Sequence, residues 1–506
     1  MGLGQSKHAE VIESWKERRA ASKAALEASG ADLEALKSSV KGTVLAVTDE
    51  DATAFDGART RPWNFDGRGF PSIIVRVSCK EDVAAAVSFA QKNSIELAVA
   101  SGAHSCKAMV DKTLCIDFFE MKNVEVDETT KIVKVDSGCR LGDVDDVLRP
   151  HGLAVPWGTN PYTGVAGLTL SGGGGFLGRK YGLTVDNLVA VDAILMDGTL
   201  IHATEDNEHA DFLWACKGGG GSFGIIVHFH FQSHKLPSDY LVGRYSTVYL
   251  APTMSSQRGI IENYAAFMKT ADASITNAMA LPCGAPVVPI TWAKVDNGIE
   301  KGQKLPGDLK PCGNLGGWLK VENKYEVIEY YNPEGKKPWK SSLQHTLVPH
   351  QQDGYYYEGA VAIRELNAEA ISILQKYTRV ITPNSLSAVI CFPFGCAIKE
   401  SGKKGDVLEE QRKAAAWIII EGKWAEKSGK AGREKVREWV RALKGELEKL
   451  PGTMETSHSL TSAIESDNLG ETQKIFCAQQ ERLTAVKTRY DINNVLKHNR
   501  NIAVAK

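Results

Sequence analysis

Apolar residues recur along this chain in two rhythms, and the change of rhythm divides it. From 8 to 40 the spacing is helical: Val11, Ile12 and Trp15, then Leu26, Leu33 and Leu36, among Ala, Glu and Lys. That spacing marks one buried helix face, so residues 1–50 predict a helical arm or hairpin that packs or makes oligomer contacts. From 51 to 235 short apolar runs alternate with amphipathic ones. Strands are predicted at 71–77, 97–99, 114–118, 124–126, 132–135, 188–196, 200–203 and 225–231, with helices at 80–90 and 141–148. From 236 to 475 longer alternating runs (241–249, 354–362, 388–392, 417–422) are separated by helical patterns (257–268, 368–377, 434–450). This predicts an antiparallel sheet with helices on one face. Residues 283–316 are rich in Pro, Gly and charge and read as a surface loop. A last helix from about 471 leads into a terminal segment, 476–506.

Composition narrows the function. With 506 residues the chain has room for two or three domains, each able to bury a core. Sixty basic residues balance 61 acidic ones, so nothing favours nucleic acid or an anionic membrane as partner. No run is apolar enough to span a bilayer, and the first residues lack the apolar core of a secretory signal. Gly2 and Ser6 fit the N-myristoylation pattern, which is short and common. Ten cysteines stand singly, without CxxC pairs, which indicates neither a zinc site nor a disulfide framework. Together with the lack of any Asn-x-Ser/Thr acceptor, this points to an intracellular, reduced protein, with the oligomeric state open.

The glycines are clustered, and the clusters carry the chemistry. Gly173-x-Gly175-x-x-Gly178 and Gly219-x-Gly221-x-x-Gly224 match the dinucleotide fingerprint in letters. That fingerprint requires a strand before and a long helix after. The second band runs into a strand, and the first meets only a short helical stretch before Gly182, so neither is a Rossmann loop. Both bands still let a flat or anionic group approach bare backbone. The turn Ser101-Gly102-Ala103-His104-Ser105 follows the strand 97–99 and offers backbone N–H groups to an anion. Three such features in one domain indicate a large phosphate-bearing cofactor.

The ordered set of motifs resembles the FAD-linked oxidases with a PCMH-type flavin domain, in their berberine bridge enzyme-like branch. It comprises Arg61-Pro-Trp-Asn64, the turn 101–105, His151-Gly-Leu-Ala-Val155 with Gly158–Gly167, the band 171–182, Asp186-Asn187, Trp214–Val227, and the tail from Arg482 through Tyr490-Asp-Ile-Asn-Asn494 to Ile502. The resemblance implies an α+β, vanillyl-alcohol-oxidase-like architecture: a two-part FAD domain, an antiparallel substrate domain, and a tail, 476–506, that returns to the flavin. It implies that His104 bonds covalently to the flavin 8α carbon and that Ser101, Gly102, Ala103 and Ser105 cradle the pyrophosphate. Gly164, Val165, Gly167, Ser171, Gly172, Gly173 and Gly174 would line the cofactor, with Gly224, Ile225 and Val227 near the adenine or ribose and Asn499 in the closing tail. Asn160 stands where many members carry a cysteine with a second flavin bond, so at most one covalent link is expected. Ala100 and Ala103 replace a usual arginine and glycine. Thr163 occupies the position that controls oxygen access, which leans towards an oxidase.

The implied activity is hydride transfer from a CH–OH or CH–NH carbon of a small organic substrate to flavin N5, with reoxidation by O2 to H2O2. The alternative is a flavin-bound natural-product tailoring enzyme, or a non-redox cyclase using the same pocket. Three residues are candidates for the base. Glu421 lies in an apolar run where Trp417, Ile419, Glu421 and Lys423 share a face of a strand; it is either a desolvated carboxylate or an edge-strand surface charge. Tyr356 belongs to the triplet Tyr355–Tyr357, of which at most two line a pocket. His458 stands where an aromatic motif is usual in the family.

Overall fold

The computed structural model describes residues 2–236, 243–295, 318–321, 329–330, 339–340, 354–380, 387–425, 428–455, 475–476, 478–498 and 501–505. The N-terminal arm is a long helix, Gly2–Ser29, that stops at Gly30 (φ +61°) before a second, Leu33–Ser39, capped by Asp32. It is docked rather than free. Ser22 donates to the Phe70 carbonyl at 2.5 Å, and the Arg18 guanidinium meets the Asp111 carboxylate at 2.7 Å. The arm also ends earlier than residue 50, because Thr43–Ala46 pairs antiparallel with Ile73–Arg76 as the edge strand of the first sheet.

Two small sheets follow. The first has four strands in the order Thr43–Ala46, Ile73–Arg76, Leu114–Asp117, Leu97–Ala100, the last three parallel. Helix Lys80–Lys92 makes the crossover and buries Val83, Ala86, Val87 and Ala90 against it. The second sheet is antiparallel, in the order Val124–Val126, Ile132–Asp136, Ile225–Gln232, Leu188–Ile194, Leu200–Thr204. The second glycine band thus runs into a strand and the first into the four-residue helix Gly178–Tyr181.

The third sheet has eight antiparallel strands, ordered Trp318–Val321, Gly243–Leu250, Val287–Lys294, Ile275–Pro282, Ala388–Pro393, Ala416–Trp424, Tyr355–Ile363, Met454–Glu455. Val287–Lys294 falls inside the stretch expected to be loop; its β-branched residues hold the strand despite Pro289. Helices Met254–Thr270, Ala368–Thr378 and Gly429–Leu447 cover one face, where Val361, Ile363, Ile418, Ile420, Val440 and Leu443 form a core. The α+β class is as expected. The terminal helix begins at Gln480, and its Lys487 forms a buried ion pair with Asp491 at 2.6 Å while donating to the Ser222 carbonyl at 2.8 Å. This fastens the tail to the second glycine band. Buried Arg179 clasps the halves together by donating to the carbonyls of Ile275, Phe394 and Ala271 at 2.9, 3.0 and 2.7 Å.

Candidate active site

The uncovered face of the eight-stranded sheet and the glycine-rich backbone enclose a cavity of about 530 Å³, a size suited to an organic ligand. The turn after strand Leu97–Ala100 forms one wall, and the motif Arg61–Asn64 braces it from behind. The Arg61 guanidinium pairs with buried Asp117 and donates to the Ser101 carbonyl at 2.9 Å; Trp63 N–H donates to the Ala103 carbonyl at 2.9 Å. Asn64 reaches across to the Tyr356 carbonyl at 3.0 Å. Ser101 itself donates to the Ser137 carbonyl at 2.5 Å. A Cβ on Gly102 would lie 2.3 Å from the Gly164 Cα, so glycine is required for these two backbones to meet. Ala103 adopts φ +55°, a conformation that favours glycine.

His104 is held by its ring and its carbonyl. The imidazole stacks on Trp63 with centroids 5.6 Å apart and planes 11° apart, and Trp63 stacks in turn on Tyr162. The Tyr356 hydroxyl donates to the His104 carbonyl at 3.3 Å. Burial, helped by the positive charges of Arg140 and Lys423, lowers the imidazole pKa to about 4, so it is neutral at physiological pH. Its Nε2 is buried and has no hydrogen-bond partner among the described residues.

Most of the expected cofactor residues meet at this cavity. Ser101, Gly102, Ala103, His104 and Ser105 line it on one side, and Asn160, Thr163, Gly164 and Gly167 on another. Ser171, Gly173, Gly174, Gly224 and Ile225 line it as well. Asn160 is fixed by its own turn, its Oδ1 accepting from Tyr162 N–H at 2.9 Å. Three expected residues do not line the cavity. Val165 is fully buried, its N–H bonded to the Cys139 carbonyl. Gly172 turns away at φ +106°, where a Cβ would meet Leu408 at 2.8 Å. Val227 sits at a register shift in its strand, its carbonyl accepting from Ser137 N–H. His458 and Asn499 lie outside the described residues.

The eight-stranded sheet contributes the opposite wall and its titratable side chains. Alternation along Ala416–Trp424 sends Ile418 and Ile420 into the core under the helices, and Trp417, Ile419 and Glu421 into the cavity. The strand is interior, paired on both sides, so Glu421 is no edge charge; it is only 6% exposed. Burial raises its pKa, and Lys423, 3.3 Å from Oε1, draws it back without cancelling the rise. Glu421 Oε2 is buried and has no partner among the described residues. Tyr356 also faces the cavity, whereas Tyr355 stacks with Trp424 and Tyr357 lies beside Arg437 and Arg441 on the helix side. Glu358, which faces the cavity two residues on, was not singled out from the sequence. Its signal was the same alternation that places Tyr356. Leu496 of the returning tail completes the lining.

Three features suit this cavity to FAD. A neutral buried imidazole offers an unpaired nitrogen, Gly102, Gly164, Gly167, Gly173, Gly174 and Gly224 leave bare backbone in the lining, and a Cβ on Gly167 would meet nothing within 4 Å. Residues 71–204 match the FAD binding domain family. The chain is 28% identical over 443 residues to an FAD-linked oxidoreductase of Dictyostelium discoideum, covering 87% of this chain and 90% of that one. It is also 28% identical over 491 residues to the (R)-6-hydroxynicotine oxidase of Paenarthrobacter nicotinovorans, covering 92% and 97%. Over most of its length the chain is thus similar to FAD-linked oxidoreductases and oxidases. The structure of the Physcomitrella patens BBE-like 1 protein superposes on this oxidoreductase with a TM-score of 0.78, over 94% of this chain and all of that one, at 17% identity. The likeness is one of fold: the PCMH-type, berberine bridge enzyme-like architecture expected from the motifs. Among the described residues no helix is long and apolar enough to cross a membrane.

Proposed function

We propose that this oxidoreductase removes two electrons from a CH–OH or CH–NH carbon of a small alcohol, sugar or amine, and that O2 is the final acceptor. Bound FAD would supply the hydride acceptor at N5 and pass the electrons to O2, giving H2O2. The observation that carries the reading is a desolvated carboxylate, Glu421, facing the cavity that holds the His104 turn.

His104, neutral and stacked on Trp63, would tether the cofactor; Asn160 cannot form a thioether, so the tether is single. The backbone of Ser101–Ser105 and of Gly173 and Gly174 would hold the anionic and planar portions. Glu421 would take the proton from the substrate hydroxyl or amine. Its pKa, raised by burial, brings it towards neutrality, where a general base works best. Lys423 orients that carboxylate, and Tyr356 keeps the turn against the substrate sheet. Ile390, Phe392, Trp417 and Ile419 exclude water from the reacting carbon. Thr163, which lines the cavity, would leave room for oxygen.

A panel of alcohols, sugars and secondary amines, assayed aerobically for peroxide and anaerobically for flavin bleaching, tests this. The expected result is bleaching by one substrate class, with one peroxide formed per carbonyl or imine product. Flavin that no member of the panel reduces would favour the non-redox cyclase. Bleaching without peroxide in air would make the protein a dehydrogenase.

A further inference from the structure

The second sheet turns Val133, Val135, Val191, Phe229 and Phe231 into the core. On its opposite face, three neighbouring strands bring together a row of histidines around one carboxylate. Asp192 pairs directly with His202 on one side and with His228 on the other, and His230 lies two residues along the same strand as His228. His202 Nδ1 is 2.6 Å from Asp192 Oδ1; His228 Nδ1 and His230 Nε2 are each 3.0 Å from Oδ2. One ligand atom each from Asp192, His202 and His230 lies within 4.8 Å of the others. None of these residues lines the flavin cavity.

We propose that Asp192, His202 and His230 form a binding site for a divalent transition-metal ion of the zinc class. Two imidazoles and a carboxylate are the donor set such ions select. Tetrahedral bonds of about 2.0–2.2 Å would set the ligand atoms roughly 3.4 Å from one another, so the 2.6 Å contact of His202 with Asp192 would lengthen by side-chain rotation as an ion enters. His228 sits between two carboxylates, Nδ1 towards Asp192 and Nε2 3.5 Å from Asp136. It orients the ligand carboxylate from outside the coordination shell. The His202 side chain is 55% exposed, so the ion has an entry path and solvent can fill the fourth position. Leu200–Thr204 is the edge strand of its sheet. A metal held from three strands would fasten that edge to its neighbours.

The test uses tag-free, flavin-loaded, full-length protein treated with chelator and then titrated calorimetrically with Zn2+ at pH 7.5. One ion per chain should bind with a dissociation constant in the micromolar range or tighter, and should raise the melting temperature. Binding should weaken in acid as protons compete for the imidazoles. His202→Ala and His230→Ala should each weaken binding at least tenfold and remove the thermal shift, with the flavin content unchanged. His202 is exposed, so its substitution opens no core. Absence of saturable uptake by the wild type, or undiminished uptake by either variant, overturns the proposal.

Discussion

Glu358 and Glu421 stand directly opposite each other on neighbouring antiparallel strands, both facing the cavity. The pair gives the substrate wall two carboxylates, of which Glu421 is the deeper and lies against Lys423. Glu421→Gln should lower kcat by about 10²–10⁴, the usual worth of a positioned general base. The base must be ionised, and its pKa is raised, so wild-type kcat/KM should fall as pH drops through a value above the ordinary carboxylate range and level off above it. The variant should lose that acid limb. A variant that keeps both rate and limb would move the base elsewhere, with Glu358→Gln the next to assay.

The close approach of Gly102 to Gly164 separates two effects of adding one methyl group. In Gly102→Ala the new Cβ would fall 2.3 Å from backbone, and the turn must deform; both folding yield and flavin content should drop. In Gly167→Ala the Cβ meets no protein atom within 4 Å and lies beside the cavity. That variant should fold normally, as read by circular dichroism, yet be purified with less flavin. Full flavin loading of Gly167→Ala would place the cofactor away from this wall.

Ala103 carries φ +55° in the middle of the turn. A left-handed conformation costs a non-glycine residue about 1–2 kcal/mol, and glycine loses about 0.4–1 kcal/mol more chain entropy on folding. Ala103→Gly should therefore stabilise the protein by roughly 0.5–1 kcal/mol in urea unfolding, with flavin retained.

How much of this was legible beforehand follows from the range of each interaction. The turn 101–105 and the bands 171–174 and 218–221 are local features, and their small residues announce a close approach wherever the chain takes them. The face shared by Trp417, Ile419 and Glu421 was legible because strand alternation is also local. The stacking of Trp63 on His104 was not, since it depends on two segments 41 positions apart meeting in one plane. Nor was Glu358 opposite Glu421, which is set by register across 63 positions of chain. Val287–Lys294 was hidden by Pro289, which reads as a breaker. Thr43–Ala46 was absorbed into the helical arm because its run is only four residues long.

The neutrality of His104 has its own consequence for pH. Its folded value, about 4, lies below the ordinary 6.5. The unfolded chain therefore binds a proton in that window while the folded one does not, and stability falls as pH drops from about 6.5 towards 4. For flavin-free protein the effect is on the order of 3 kcal/mol at most. Urea midpoints at pH 7 and pH 4.5 should diverge more for the wild type than for His104→Ala. Equal divergence would mean that the imidazole is not desolvated.

The proposed function makes His104 the single covalent anchor of the flavin. Intact-mass measurement of the acid-denatured wild type and His104→Ala proteins tests it most directly. The wild type should carry one flavin mass per chain, and the variant none, even when it is purified with flavin bound. A wild-type chain free of flavin mass, or a variant that still carries it, would contradict the assignment.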